Sequence, residues 1–172
     1  MTGAAEVIRI EGVTKRFGAV TAVDDVSLSI RRGELLTLIG ESGSGKTTLA
    51  KIMAGLIQPT SGGVFFEGKP IASLGRRERL SFSRKVQYIP QYPDLALDPS
   101  WYIYDSIAEP LRIHRIASSH EEELKIVRSV STRFGLGHDQ LRRKPRDVSG
   151  GELQRAVLAR SMVLSPEVLI AD

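Results

Sequence analysis

Apolar and polar positions follow two different periods along the chain. In Val26-Ser27-Leu28-Ser29-Ile30 they alternate strictly, which predicts a half-buried strand, and residues 7–11 read the same way. Gly33 turns the chain into LLTLI (35–39), an unbroken apolar run that predicts a strand buried on both faces. Beyond a glycine-rich loop at 40–45 the period changes. Leu49, Ile52, Met53 and Leu56 fall at i, i+3, i+4 and i+7, predicting an amphipathic helix from about Lys46. QPTSGG (58–63) breaks it, and VFFE (64–67) and VQYI (86–89) read as further strands. Pro90, Pro93, Pro99 and Pro110 then punctuate a loop-rich, aromatic stretch. A helix opens at Ser118 or Ser119, with Glu121 and Glu122 at the matching capping-box positions; Val127, Val130 and Phe134 form its stripe and Gly135 ends it. A last helix runs from near Ser149 to Leu164, and Ser165-Pro166 leads into VLIAD (168–172).

This order gives short β segments, a strand–loop–helix, a mostly helical insert and a strand, with no internal repeat and no long linker: an α/β organisation with an insertion. The 172 residues, 41% of them apolar, suit about one domain. A net charge of +4 fits anionic ligands such as nucleotides, nucleic acid or a lipid surface, and selects none of them. The dense stretches Arg76–Arg79 and Arg142–Arg146 read as solvated surface charge. The absence of cysteine excludes a disulfide framework and a thiolate metal site. His114, His120 and His138 lack ligand spacing and read as surface residues. No apolar run approaches ~18 residues, and MTGAAE lacks a signal peptide's basic and apolar regions. The expectation is a soluble, cytoplasmic protein whose membrane role, if any, comes through a partner.

GESGSGKT (40–47) fits G-x-x-x-x-G-K-[ST], with a predicted buried strand before it and an amphipathic helix after it. Gly40, Gly43 and Gly45 let backbone N–H groups curl around a polyphosphate. The helix N-terminus adds partial positive charge. Lys46 is placed to neutralise the β- and γ-phosphates, and Thr47 to offer its hydroxyl to Mg²⁺. Gly40, Glu41, Ser42, Gly43, Ser44, Gly45, Lys46, Thr47 and Thr48 are thus the candidate nucleotide-binding residues. In P-loop proteins a second apolar strand ends in an aspartate that helps hold the same Mg²⁺, and VLIAD, ending on Asp172, has that form. By itself such a tail is more often a strand-end turn; following a P-loop, the metal-holding reading is the favoured one.

Val148-Ser149-Gly150-Gly151-Glu152 is a capping box with two glycines inside it, each costing a helix about 1 kcal/mol against alanine. A glycine pair at a helix N-terminus lets an anion approach the backbone closely. The arrangement resembles the signature of the ATP-binding cassette (ABC) family, usually LSGGQ, which contacts the γ-phosphate of ATP bound to the opposite subunit. Val148 and Glu152 depart from the commonest form; the core Ser149, Gly150 and Gly151 is intact. Gln91, in YIPQYP, resembles the family's Q-loop glutamine, which senses Mg²⁺ and the γ-phosphate and faces the membrane partner. Phe17, in KRFGAV between the first two strands, resembles the aromatic that stacks on adenine; plain core packing is the alternative. The resemblance implies a P-loop NTPase fold, α/β with a RecA-like core (incomplete here), an N-terminal antiparallel β subdomain and a helical insertion. It implies one domain over 1–172: a β subdomain and P-loop core at 1–91, a helical part at 92–164 and a Walker B strand at 165–172. ATP and Mg²⁺ are the implied cofactors, the metal held by Thr47, Gln91 and Asp172.

GESGSGKTTL, PTSGG, LALDPS, IAEPLRIH and SGGELQR together look most like the ATPases of dipeptide, oligopeptide and nickel importers, and within those like the second ATPase of an unlike pair. Tyr92 departs from the family's QDP loop, at the permease contact. The implied partners are transmembrane permease subunits, a second ABC ATPase in a homo- or heterodimer and, indirectly, a substrate-binding protein, with no nucleic acid. The implied location is the cytoplasmic face of the membrane, peripherally. The resemblance further implies a general-base glutamate, a D-loop, a switch histidine and a strand lying between LLTLI and VLIAD, all beyond Asp172. Loss of a general base removes about 10²–10⁴-fold in rate. The expectation is therefore a fragment that binds ATP, hydrolyses it poorly, and aggregates or borrows a strand. Two other readings stand beside it: a nucleotide-binding module that works by ATP-dependent association, and a non-transport ABC ATPase.

Overall fold

The computed structural model describes residues 5–172, which form two compact units: one runs to Ser83 and takes in Asp172, the other is Arg84–Ala171. The first is built on β1 (Glu6–Phe17), β2 (Val20–Arg31), β3 (Ser61–Phe66) and β4 (Lys69–Pro70), an antiparallel sheet in the order β2-β1-β3-β4. Both hairpin strands extend well beyond 7–11 and 26–30, because Ile10 opposes Leu28 and Val13 opposes Val26 across register shifts that keep apolar side chains on one face. β3 begins inside QPTSGG, three residues before the expected strand.

Helix α1 (Lys46–Met53) buries Leu49, Ala50, Ile52 and Met53 in a core shared with Ile8, Ile10, Val13 and Val23. Leu56, expected on the same stripe, lies beyond the helix and is 61% exposed. The chain closes there in a Schellman motif: the Gly55 N–H donates to the Ile52 carbonyl and the Leu56 N–H to the Lys51 carbonyl. Helix α2 (Arg76–Lys85) has no counterpart among the predicted elements. It buries only Phe82, edge-on to Phe66 with centroids 5.2 Å apart, so it shows no apolar stripe.

LLTLI does not form the expected strand. Residues 34–40 are irregular, and Leu35 and Ile39 are 92% and 93% exposed. An apolar run becomes a buried strand only where neighbours supply backbone partners, and no strand among the described residues pairs with it.

In the second unit β5 (Val86–Ile89) and β6 (Val168–Ala171) pair in parallel, Val86 beside Val168 through Ile89 beside Ala171. Helices α3 (Ile103–Ile113), α4 (His120–Arg133), α5 (His138–Leu141) and α6 (Gly150–Met162) share a core that includes Ile103, Ile107, Leu111, Val127, Ala156 and Val157. α3 lies in the stretch read as loop. Its apolar positions recur every four residues at 103, 107 and 111, but Pro110 sits inside the helix and masks the pattern. α4 uses both serines singled out in the sequence. Ser119 accepts from the Glu122 N–H, and the Glu122 carboxylate accepts from the Ser118 amide and hydroxyl. α6 ends at Met162, two residues before the expected Leu164. His114 is half-buried rather than superficial, and burial, then the charge of Arg84, lowers its pKa. Among the described residues no helix is long and apolar enough to cross a membrane.

Candidate functional site

The glycine loop delivers the chain into α1 without a side-chain cap. Gly45 is the N-cap, with φ 90°, and a Cβ there would lie 2.0 Å from the Ala22 carbonyl oxygen of β2. Only glycine both adopts that angle and lets the loop run this close to the sheet. The first turn of α1 contains no acidic residue, so its amides and partial positive charge are left for an outside anion. The Lys46 ammonium folds back over the loop. It donates to the carbonyls of Gly40 at 2.8 Å and Glu41 at 2.6 Å, with the Ser44 hydroxyl at 3.2 Å. Its three protons thus point at three oxygens of the loop that carries it, where a polyphosphate would compete for them. Residues 40–44 are exposed and 45–48 half-buried.

Asp172 meets this loop directly. The Thr47 hydroxyl donates to Asp172 Oδ1 at 2.8 Å, joining residues 125 positions apart. Two hard oxygen donors, one of them a carboxylate, suit Mg²⁺. The hydroxyl and the carboxylate are brought together at the loop, so the residues present fit a magnesium ion.

Phe17 is the last residue of β1 rather than part of the loop between the strands. It is 50% exposed, with the Lys15 ammonium 5.0 Å from its ring centroid, which excludes plain core packing. Gln91 and the signature segment belong to the Arg84–Ala171 unit. Gln91 is exposed and follows β5 and Pro90.

At the start of α6 the expected capping box is complete. Ser149 Oγ accepts from the Glu152 N–H at 3.3 Å, while the Glu152 carboxylate accepts from the Ser149 amide and hydroxyl, each at 2.8 Å. Gln140 of α5 was not singled out from the sequence. Its amide donates to the other carboxylate oxygen of Glu152 at 3.0 Å, and its carbonyl accepts from the Gly137 N–H at 3.1 Å. The local clue was Gln140 three residues after Gly137, itself a capping pattern. These bonds, led by the Ser149 amide and hydroxyl, with Gln140 and the charge of Arg143 adding, hold the Glu152 pKa down at about 2.

The family model described as "ABC transporter" matches residues 23–172. The oligopeptide transport ATP-binding protein OppF of Bacillus subtilis (strain 168) is 40% identical over 161 residues, 93% of this chain and 52% of OppF. The di/tripeptide transport ATP-binding protein DppF of Pseudomonas aeruginosa (strain UCBPP-PA14) is 38% identical over 161 residues, 94% of this chain and 50% of DppF. The chain thus spans about half the length of the relatives it matches. Among solved structures, the dimeric, post-hydrolysis state of the ATP-binding cassette MJ0796 bound to ADP and Pi superposes with a TM-score of 0.86 at 30% identity, covering 96% of this chain and 73% of that one. The matched segment holds the P-loop, the signature and the terminal aspartate together, and the chain belongs to the ABC transporter family.

Proposed function

We propose that this chain binds Mg²⁺–ATP on the loop 40–48 and forms the nucleotide-binding part of a subunit that drives peptide import through a membrane permease. The observation that carries the reading is the Thr47–Asp172 contact, which joins the two motifs a nucleotide–metal site requires. When bound, Mg²⁺ would offset the charge of the β- and γ-phosphates and orient them. The loop amides and the open end of α1 bind the phosphates, Lys46 exchanges its loop oxygens for theirs, and Thr47 and Asp172 hold the metal. Phe17, half-exposed, offers a face for the adenine, and Gln91 is assigned to the metal and γ-phosphate. Ser149, Gly150 and Gly151, in the signature segment that ends at Glu152, are assigned to the ATP of an opposite subunit. The names of OppF and DppF support peptides as the cargo, and the post-hydrolysis state of MJ0796 with ADP and Pi supports ATP hydrolysis as the energy source of the whole protein. Permease subunits and a second ABC subunit are the partners that go with this reading, at the cytoplasmic face of the membrane.

The test is calorimetric titration of the chain with Mg²⁺–ATP. Lys46→Ala removes the ammonium that folds back over the loop and is expected to weaken binding by ~100-fold or more. An unchanged affinity sinks the assignment.

A further inference from the structure

The signature of this chain carries a charge where the family's commonest form carries a neutral amide, and the structure shows that charge held in place. One carboxylate oxygen of Glu152 takes both protons that Ser149 can give, from its amide and its hydroxyl. The other is held by Gln140, which is itself fixed by the Gly137 N–H. The Ser149 hydroxyl therefore has its single proton committed to Glu152 while its oxygen accepts from the Glu152 amide. To donate to an outside anion it must first give up the carboxylate.

We propose that Glu152, pinned by Gln140, is a brake on the signature: it holds the Ser149 hydroxyl within its own chain and keeps a negative charge at the helix end that would meet the phosphate of an opposite subunit. The inference rests on the reading that this segment binds ATP in trans. Two effects act together. The first is competition for the hydroxyl proton. The second is like-charge repulsion at a helix N-terminus whose open Gly150 and Gly151 otherwise favour an anion. The carboxylate stays ionised throughout the physiological range, so its charge is a constant feature of this site.

Glu152→Gln separates these effects from folding. Glutamine serves equally well at the third position of a capping box, so α6 keeps its cap while the charge is lost. The measurement is self-association of the chain by sedimentation velocity with Mg²⁺–ATP, alongside Ser149→Ala. Ser149→Ala is expected to weaken ATP-dependent association. Glu152→Gln is expected to strengthen it by roughly fivefold at low ionic strength, an advantage that shrinks as salt screens the repulsion. A merely structural role for Glu152 gives no gain. Carboxyl NMR titration of Gln140→Leu supplies the second readout: Glu152 should titrate closer to the ordinary carboxylate range, and an unmoved titration overturns the pin. Weakening by Ser149→Ala with no gain from Glu152→Gln, or a gain independent of salt, overturns the brake alone. No ATP-dependent association by any of the three chains overturns the trans reading, and the brake with it.

Discussion

At Gly45 two constraints meet that are separable elsewhere in the same loop. Gly43 also has a positive φ, 82°, but a Cβ there would enter open space, whereas at Gly45 it would lie 2.0 Å from a backbone carbonyl oxygen. Gly43→Ala therefore carries only conformational strain, about 1–2 kcal/mol. Gly45→Ala adds a clash that no rotamer relieves, and the loop must leave β2. The expected outcome is a larger fall in thermal midpoint for Gly45→Ala than for Gly43→Ala, with a correspondingly larger loss of ATP affinity. Equal effects of the two substitutions, read by calorimetry, contradict the argument from the Ala22 contact. Thr47 shows the other side of the residue scale. Its partner lies 125 positions away, so a pattern in the sequence suggests the pairing and only the folded chain makes the 2.8 Å contact.

Between elements, α3 and α4 are joined by a polar cluster rather than by apolar side chains alone. Glu123, 7% exposed, accepts from Arg112 through both carboxylate oxygens, at 2.7 and 2.8 Å, and from the Tyr104 hydroxyl at 2.9 Å. The Arg112 guanidinium is the main cause of the lowered Glu123 pKa, opposed by burial. Burial, then the Glu123 contact, pushes the Tyr104 hydroxyl up to about 12. A carboxylate whose folded pKa is depressed contributes stability above its unfolded value, near 4.5, and loses that contribution as pH falls through the folded value. Glu123→Gln should cost about 2 kcal/mol at neutral pH, a figure kept modest because the Arg112 side chain is 45% exposed. The variant should also be less sensitive to acid below pH ~4.5 than the parent. Urea midpoints measured from pH 3 to 7 check both, and parallel curves for the two proteins contradict the linkage. This cluster was not legible beforehand, because α3 hid within a proline-marked stretch. α4, by contrast, announced itself through Ser118, Ser119 and Glu122.

Across the molecule, what the sequence made legible was local chemistry. GESGSGKT and SGGE specify backbone geometry within a few residues, and both appear where expected, each at the start of a helix. Elements whose identity depends on partners were harder to read. α2 buries one side chain and has no period to detect, and LLTLI has the composition of a buried strand but no partner strand among the described residues. That last mismatch has a physical consequence. Leu35 and Ile39 expose over nine-tenths of their surface within five residues, on backbone not engaged in a sheet. An apolar, uncharged run with open backbone groups is a template for pairing between copies. Replacing both residues by threonine keeps β-propensity and removes the apolar surface, so an effect on association is not an effect on strand preference. Because neither side chain is buried, the urea midpoint should move by no more than ~0.5 kcal/mol in equivalent stability. Aggregation on concentration, followed by light scattering without nucleotide, should fall several-fold. Undiminished scattering with an unchanged midpoint would place the sticky surface elsewhere, the half-exposed Leu169 of β6 being the next candidate at 43%.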